Sequence, residues 1–176
     1  MSEVKVEDKG LERYMNLDTK DFLLGGTYAN KLFGKSKTPI IERLINNLMR
    51  TEHYNGKKTK SFNVVKGALE TVEKKTKSNP VQVLVDALQY AAPKEETTRL
   101  RFGGIHVPKA VDIAPQRRLD IALRNICNGA VNATRKNKKS MDLCLADEIM
   151  KAAKNDPASF AIAKKNDVER VARSAR

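Results

Sequence analysis

His53, His106, Cys127 and Cys144 are the only histidines and cysteines of the 176-residue chain, and they are the first places to look for chemistry. A nucleophilic thiol needs a base and an orienting group, and neither histidine stands in a pattern that would supply them. Both cysteines sit among apolar residues at helical spacing, which reads as buried free thiols rather than a disulfide or metal pair. Asp147 and Glu148 are adjacent, so on a helix they point apart and do not make a paired acid. Gly103-Gly104 lacks the further glycines of a dinucleotide fingerprint and the Lys-Ser/Thr of a phosphate loop. The sequence offers no catalytic constellation, no metal site and no cofactor motif, and is read as that of a non-enzyme.

The chemistry that remains is cationic. Lys and Arg number 34 against 21 Asp and Glu, a net charge of +13 with a pI near 9.8. A compact body so charged repels itself unless a polyanion neutralises it, and nucleic acid gains affinity by releasing counterions at each neutralised phosphate. The cations are grouped: Lys35 and Lys37 before the first strong helix; Lys57, Lys58 and Lys60; Arg99 and Arg101; Arg117 and Arg118, with Arg124 beyond; Arg135, Lys136, Lys138 and Lys139; and Arg170, Arg173 and Arg176. One such group is an ordinary solvated surface, but a set of them on a chain this basic points to phosphate contact. Arginine suits phosphate because its planar fork donates two parallel hydrogen bonds.

Other partners fit less well. No stretch approaches the roughly 20 apolar residues that span a bilayer. The chain has no Trp for an interfacial helix, and Met1 to Lys5 begin no signal peptide, so an intracellular protein without a membrane partner is expected. Aromatic content is 5%, with no stacking platform for single strands, and Phe102 is read as packing on Ile105. A structured RNA recognised by shape and backbone fits best. The alternative is a DNA-binding regulator with the hairpin as a wing. A duplex reader gathers its cations on one face, whereas here they fall on loops, ribbon and terminus.

These groups hang on a mainly α architecture of six helices, bundle-like, with one β-hairpin inserted after the third. Residues 1–38 show no sustained period and read as an extended arm with short ordered pieces. Residues 39–176 read as one helical domain. Thr38-Pro39 predicts a capped helix with proline at its first position, carrying Ile40, Ile41, Leu44, Ile45, Leu48 and Met49 on one face. Lys57, Lys58 and Lys60 then fall in a short cationic connector. Val65, Ala68, Leu69 and Val72 mark the second helix, and Asn79-Pro80 with Gln82 starts the third, which ends at Pro93. The period then changes to two over about 96–113. Gly103-Gly104 is a two-residue turn requiring positive φ, pairing Phe102 with Ile105 and Leu100 with Val107 on one face, and Arg101 with His106 on the other. Helical spacing returns after Pro115, near Ser140, and in a last helix with Val168, Val171, Ala172 and Ala175 on its apolar face.

Four segments, PIIERLINNLMRTE (39–52), NPVQVLVDALQYAAP (79–93), RLRFGGIHVPKAVDIAPQRRLDIALR (99–124) and KKNDVERVARSAR (164–176), span the chain from about Pro39 to Arg176. On these the chain resembles the small-subunit ribosomal protein seven family in its archaeal and eukaryotic form. The resemblance implies a cytoplasmic ribosomal protein that binds the 3′ major domain of small-subunit ribosomal RNA and organises the subunit head. It implies other head proteins as neighbours, and a hairpin lying near the exit-site tRNA and the mRNA exit path. By motif, Arg99, Arg101, Gly103 and Gly104 would form the reaching ribbon. Gln116, Arg117, Arg118 and Arg124 would meet rRNA at and beyond its base. Lys57, Lys58 and Lys60 match a basic loop of the family, and Lys164, Lys165, Arg170, Arg173 and Arg176 its basic C-terminal helix. The bacterial branch carries a further C-terminal tail that has no match here, and Gly10 to Tyr14 resemble the archaeal N-terminal extension.

Overall fold

The computed structural model describes residues 4–17, 32–135 and 137–176, apart from the side chain of Phe102. Lys136, and the expected packing of Phe102 on Ile105, lie outside the described residues. Within them the order is α1 (Lys9–Glu12), α2 (Ile40–Leu48), α3 (Lys58–Thr76), α4 (Pro80–Ala91), β1 (Glu95–Phe102), β2 (Ile105–Asp112), α5 (Pro115–Thr134), α6 (Met141–Ala153) and α7 (Phe160–Ser174). The six expected helices and the inserted hairpin are all present, with α1 in addition. No described helix is long and apolar enough to cross a membrane.

The predicted stripes make the core. Ile40, Leu44, Ile45 and Leu48 of α2, Leu84 and Leu88 of α4, Leu119, Leu123 and Ile126 of α5, and Leu145 and Ile149 of α6 are all fully buried. Removing such side chains from water stabilises by roughly 1.5–3 kcal/mol each. Helix α6 lies at the centre, packed on α3, α4 and α5. Cys127 and Cys144 are buried free thiols, and burial pushes that of Cys127 up to about 12. At Gly129 α5 passes close to its neighbours: a Cβ there would lie 2.9 Å from Glu148 of α6 and from the Cβ of Phe160 of α7.

Three local expectations are corrected. Pro39 is the N-cap of α2 rather than its first helical residue, and Thr38 makes no cap. The Ile40 N–H donates instead to the Asn16 carbonyl at 2.8 Å, across a parallel bridge between Asn16 and Pro39. Lys57, Lys58 and Lys60 are not a loop, because α3 begins at Lys58 with Lys57 as its cap. On α7 the buried residues are Ala161, Ile162 and Ala172, whereas Val171 is half exposed, because only the side of α7 facing α4, α5, α6 and the hairpin is covered.

The described part of the arm lies against the helices. Leu11 and Met15 enter the core. Gln82 accepts from the Lys5 N–H at 2.9 Å and donates to the Lys5 carbonyl at 3.0 Å, as a neighbouring strand would. The Gln89 side-chain oxygen accepts from the Glu7 and Asp8 N–H groups. Gln82 therefore ties down the arm, while Asn79 alone caps α4 by accepting from the Val81 N–H.

The hairpin has the expected register, with Leu100 opposite Val107, Arg101 opposite His106 and Phe102 opposite Ile105. Gly103 and Gly104 turn at φ +56° and +88°, a region side chains with a Cβ rarely adopt. An isolated ribbon is marginal in water, and this one is held at its root. The Ala110 N–H donates to the Ala175 carbonyl at 3.3 Å, the Lys94 N–H to Glu169 at 3.0 Å, and Arg176 pairs with Glu95. The C-terminal helix thereby props the ribbon.

Candidate nucleic-acid interface

Helices α2 and α5 lie side by side, and between them opens a cleft of about 530 Å³. One wall is polar because α2 has two faces. Its apolar stripe enters the core, while Arg43, Asn46, Asn47 and Arg50, at spacings of three and four, continue along the other side into the turn after the helix. Asp120 and Arg124, one turn apart, form the wall from α5, and Lys35 and Lys58 close the ends. Lys35, Arg43, Arg50, Lys58 and Arg124 face Glu42 and Asp120, a surplus of three positive charges.

These cations are not equivalent. Arg43 is 5% exposed, donating to the Tyr14 carbonyl at 3.0 Å and to Asp120 at 2.9 Å, so it builds the floor. Lys35 pairs with Asp120 as well. Burial pushes the Asp120 carboxyl up, but the hydrogen bonds and charges of Lys35 and Arg43 outweigh it and hold the pKa below the usual value. Lys58 is bound to the buried Glu42 at 3.0 Å. Arg50 and Arg124 have no ion pair or side-chain hydrogen bond among the described residues. Their donors face solvent, in a cleft whose acids are already satisfied.

The other predicted residues divide in the same way. Arg117 forms a two-pronged bridge to Glu96, at 2.8 and 2.9 Å, pinning α5 to the ribbon. Arg118 is 11% exposed and joins Asp8 at 3.0 Å and the Pro93 carbonyl at 3.2 Å. The side-chain nitrogen of Gln116 is buried and finds no partner among the described residues. Lys165 donates to the Tyr90 carbonyl at 2.8 Å, and burial pulls its pKa below the usual lysine value. Lys139 meets Asp147 at 3.3 Å, Arg135 meets Glu52 at 3.4 Å, and Arg170 meets Asp167 at 3.2 Å. These three pairs are exposed enough that each contributes roughly 1 kcal/mol at most and yields readily to phosphate.

Among the described residues Lys37, Lys57, Arg99, Lys138 and Arg173 make no ion pair. Lys60 lies 5.1 Å over the Tyr54 ring and Lys164 5.7 Å over Phe160. On the ribbon Arg101 reaches His106 at 3.4 Å, so Arg99, Arg101 and His106 form one polar face, with Ile105 and Val107 exposed on the other. The structure thus brings Lys35, Lys58 and Arg124 into one cleft, and keeps the hairpin, the α5–α6 connector and the α7 row as separate stations. Arg50 and Asn46 belong to the cleft although the sequence reading passed over them. The spacing of the polar residues on α2 was the signal available.

A family model described as ribosomal protein S7p/S5e matches residues 13–176. The chain is similar to small ribosomal subunit protein uS7 of Archaeoglobus fulgidus, 56% identical over 99% of this chain and 91% of that one. It is 52% identical to the uS7 of Picrophilus torridus, over 100% of this chain and 95% of the relative. To the uS7 of Thermoplasma volcanium it is 51% identical, over 100% and 96%.

Proposed function

The chain belongs to the ribosomal protein S7p/S5e family, and from that premise we propose that it binds the 3′ major domain of small-subunit ribosomal RNA and organises the subunit head. Its role in the small subunit is structural, not enzymatic, and its place is the ribosome in the cytoplasm. The observation that supports the finer reading most is the α2–α5 cleft, where Arg50 and Arg124 stand unpaired among described residues whose acids are already neutralised. A backbone phosphate entering it meets donors that need no internal bond broken first.

Around the cleft the other stations engage separate RNA helices: Lys57 and Lys60 at the start of α3, the α5–α6 connector, and Lys164, Arg170 and Arg173 on α7. Arg117, Arg118, Lys165 and Arg176 act first as fasteners that hold α5, the arm, α7 and the ribbon in place. Gly103 and Gly104 let the ribbon end in a narrow tip, which lies near the exit-site tRNA and the mRNA exit path. Other head proteins complete the surroundings.

The test is sedimentation of the chain with small subunits, followed by crosslinking to map the RNA it touches. Crosslinks from Arg50, Arg124 and the Arg99–Arg118 segment to the 3′ major domain are expected. Crosslinks confined to another rRNA domain, or retention of duplex DNA with no subunit association, would overturn the reading.

A further inference from the structure

On the far side of α2 lies a second depression of different character. Ile41 and Ile45 of α2, Phe62, Val65 and Leu69 of α3, and Pro80 at the start of α4 line a groove of about 230 Å³. Ile45 and Val65 form its buried floor, while Ile41, Phe62 and Leu69 are only partly covered by the rest of the protein. That volume lies below the roughly 300–1,000 Å³ of small-molecule sites and fits anchoring side chains instead. The groove contains no group suited to phosphate except Lys66 at its rim.

The rim charge argues for the occupant. Glu70 and Glu73, three residues apart and so on one side of α3, border the groove, and both are exposed. Neither makes an ion pair or side-chain hydrogen bond among the described residues. With Lys66 the rim is net acidic by one charge, on a chain whose net charge is +13. RNA would bring phosphates against two unpaired carboxylates, and a second copy of this basic chain would add its own repulsion. An apolar segment flanked by Lys or Arg would cover the floor and neutralise the rim. We infer that the α2–α3 groove docks a basic, amphipathic segment of a neighbouring protein, inserting apolar residues at helical spacing and setting cations against Glu70 and Glu73. This inference rests on the ribosomal reading only for where that neighbour is found.

A photo-crosslinking residue placed at the exposed Lys66, in the full chain assembled into small subunits, tests it. The expected product joins this chain to a protein segment with apolar residues three or four apart beside Lys or Arg. Glu70→Gln with Glu73→Gln should lower that yield about fivefold or more, with subunit incorporation unchanged. Crosslinks to rRNA or to a second copy, an unchanged yield in the neutralised variant, or subunits that contain the chain yet give no crosslink would each overturn the inference. A chain that does not enter subunits would count against the ribosomal reading instead. The free chain then decides, titrated by NMR with a synthetic helical peptide carrying Leu on one face and Lys on the other. Shifts confined to α2 and α3 sustain the groove, and equal binding by the same peptide with Glu in place of Lys sinks it.

Discussion

Replacing Arg50 and Arg124 by alanine separates phosphate contact from structural support, because neither side chain makes an ion pair among the described residues. Losing one phosphate contact lowers the slope of log affinity against log salt by about 0.7–0.9, so the double variant should be flatter by roughly 1.4–1.8. Between 50 and 200 mM salt that difference amounts to about a tenfold change in the ratio of the two affinities. Fluorescence anisotropy with a fragment of the 3′ major domain, over a series of KCl concentrations, measures it. Thermal stability should stay within about 0.5 kcal/mol of the parent, as for surface changes that break no internal bond. Arg117→Ala is the contrast: Glu96 already neutralises that guanidinium, so the slope should move less while the hold of α5 on the ribbon weakens. A double variant whose slope equals the parent's, or an Arg117→Ala slope that falls as far as that of Arg124→Ala, would refute the division into free and fastening cations.

Gly129→Ala should destabilise despite the roughly 1 kcal/mol alanine gains in a helix. Its Cβ at 2.9 Å displaces Glu148, which accepts from Ser159 Oγ and the Ala161 N–H at the start of α7, and overpacking with loss of that cap costs about 2–4 kcal/mol. Calorimetry should therefore show a melting temperature lower by about 2–12 °C, and a rise would mean α5 can move away freely. For Asp120 the folded pKa is depressed, so its stabilising effect is present above the unfolded value of about 3.9 and disappears as pH falls through the folded one. In acid titrations Asp120→Asn should be less stable than the parent at neutral pH, with the gap closing below about pH 4; a gap independent of pH would contradict the Lys35–Asp120–Arg43 linkage. Gly104→Val places a β-branched residue at φ +88° and should abolish NMR contacts between Leu100 and Val107 while the helical body melts as before. Retained contacts would show that the turn does not need this conformation.

The helices and the hairpin register were legible because each is encoded in neighbouring residues: a 3.6 or 2 period, a proline or asparagine boundary, two glycines between alternating runs. The arm was not, because its partners are distant and mostly main-chain. Nothing near Asn16 announces that its carbonyl receives the Ile40 N–H, and Gln82, which looks like half of a capping box, holds the backbone of Lys5 instead. The same limit applies to the candidate site. Sequence located Lys35, Lys58 and Arg124 but not which cations remain free, since Arg118 finds Asp8 at 110 residues' separation and Arg117 finds Glu96 at 21. Arg50 and Asn46 were recoverable, because polar residues on the back of an apolar stripe mark the face a helix turns away from the core.

Helix α5 shows why fastening and binding have to share one element. Along its length Arg117 holds the ribbon, Arg118 holds the arm through Asp8, Asp120 gathers Lys35 and Arg43, Arg124 faces the cleft, and Gly129 admits α6 and α7. A chain with separate cationic stations can fix the relative orientation of several RNA helices only if the stations do not move with respect to one another. Charge repulsion at +13 works against that, and the internal pairs oppose it where the stations join: four of them involve α5, and Arg176–Glu95 ties α7 to the ribbon root. The acids, far from merely diluting a basic surface, are therefore what hold its unpaired arginines in position. Removing Asp8 or Glu96 should loosen RNA binding even though each removal makes the protein more positive, the opposite of what net charge alone predicts, and affinity measured at constant salt decides between the two.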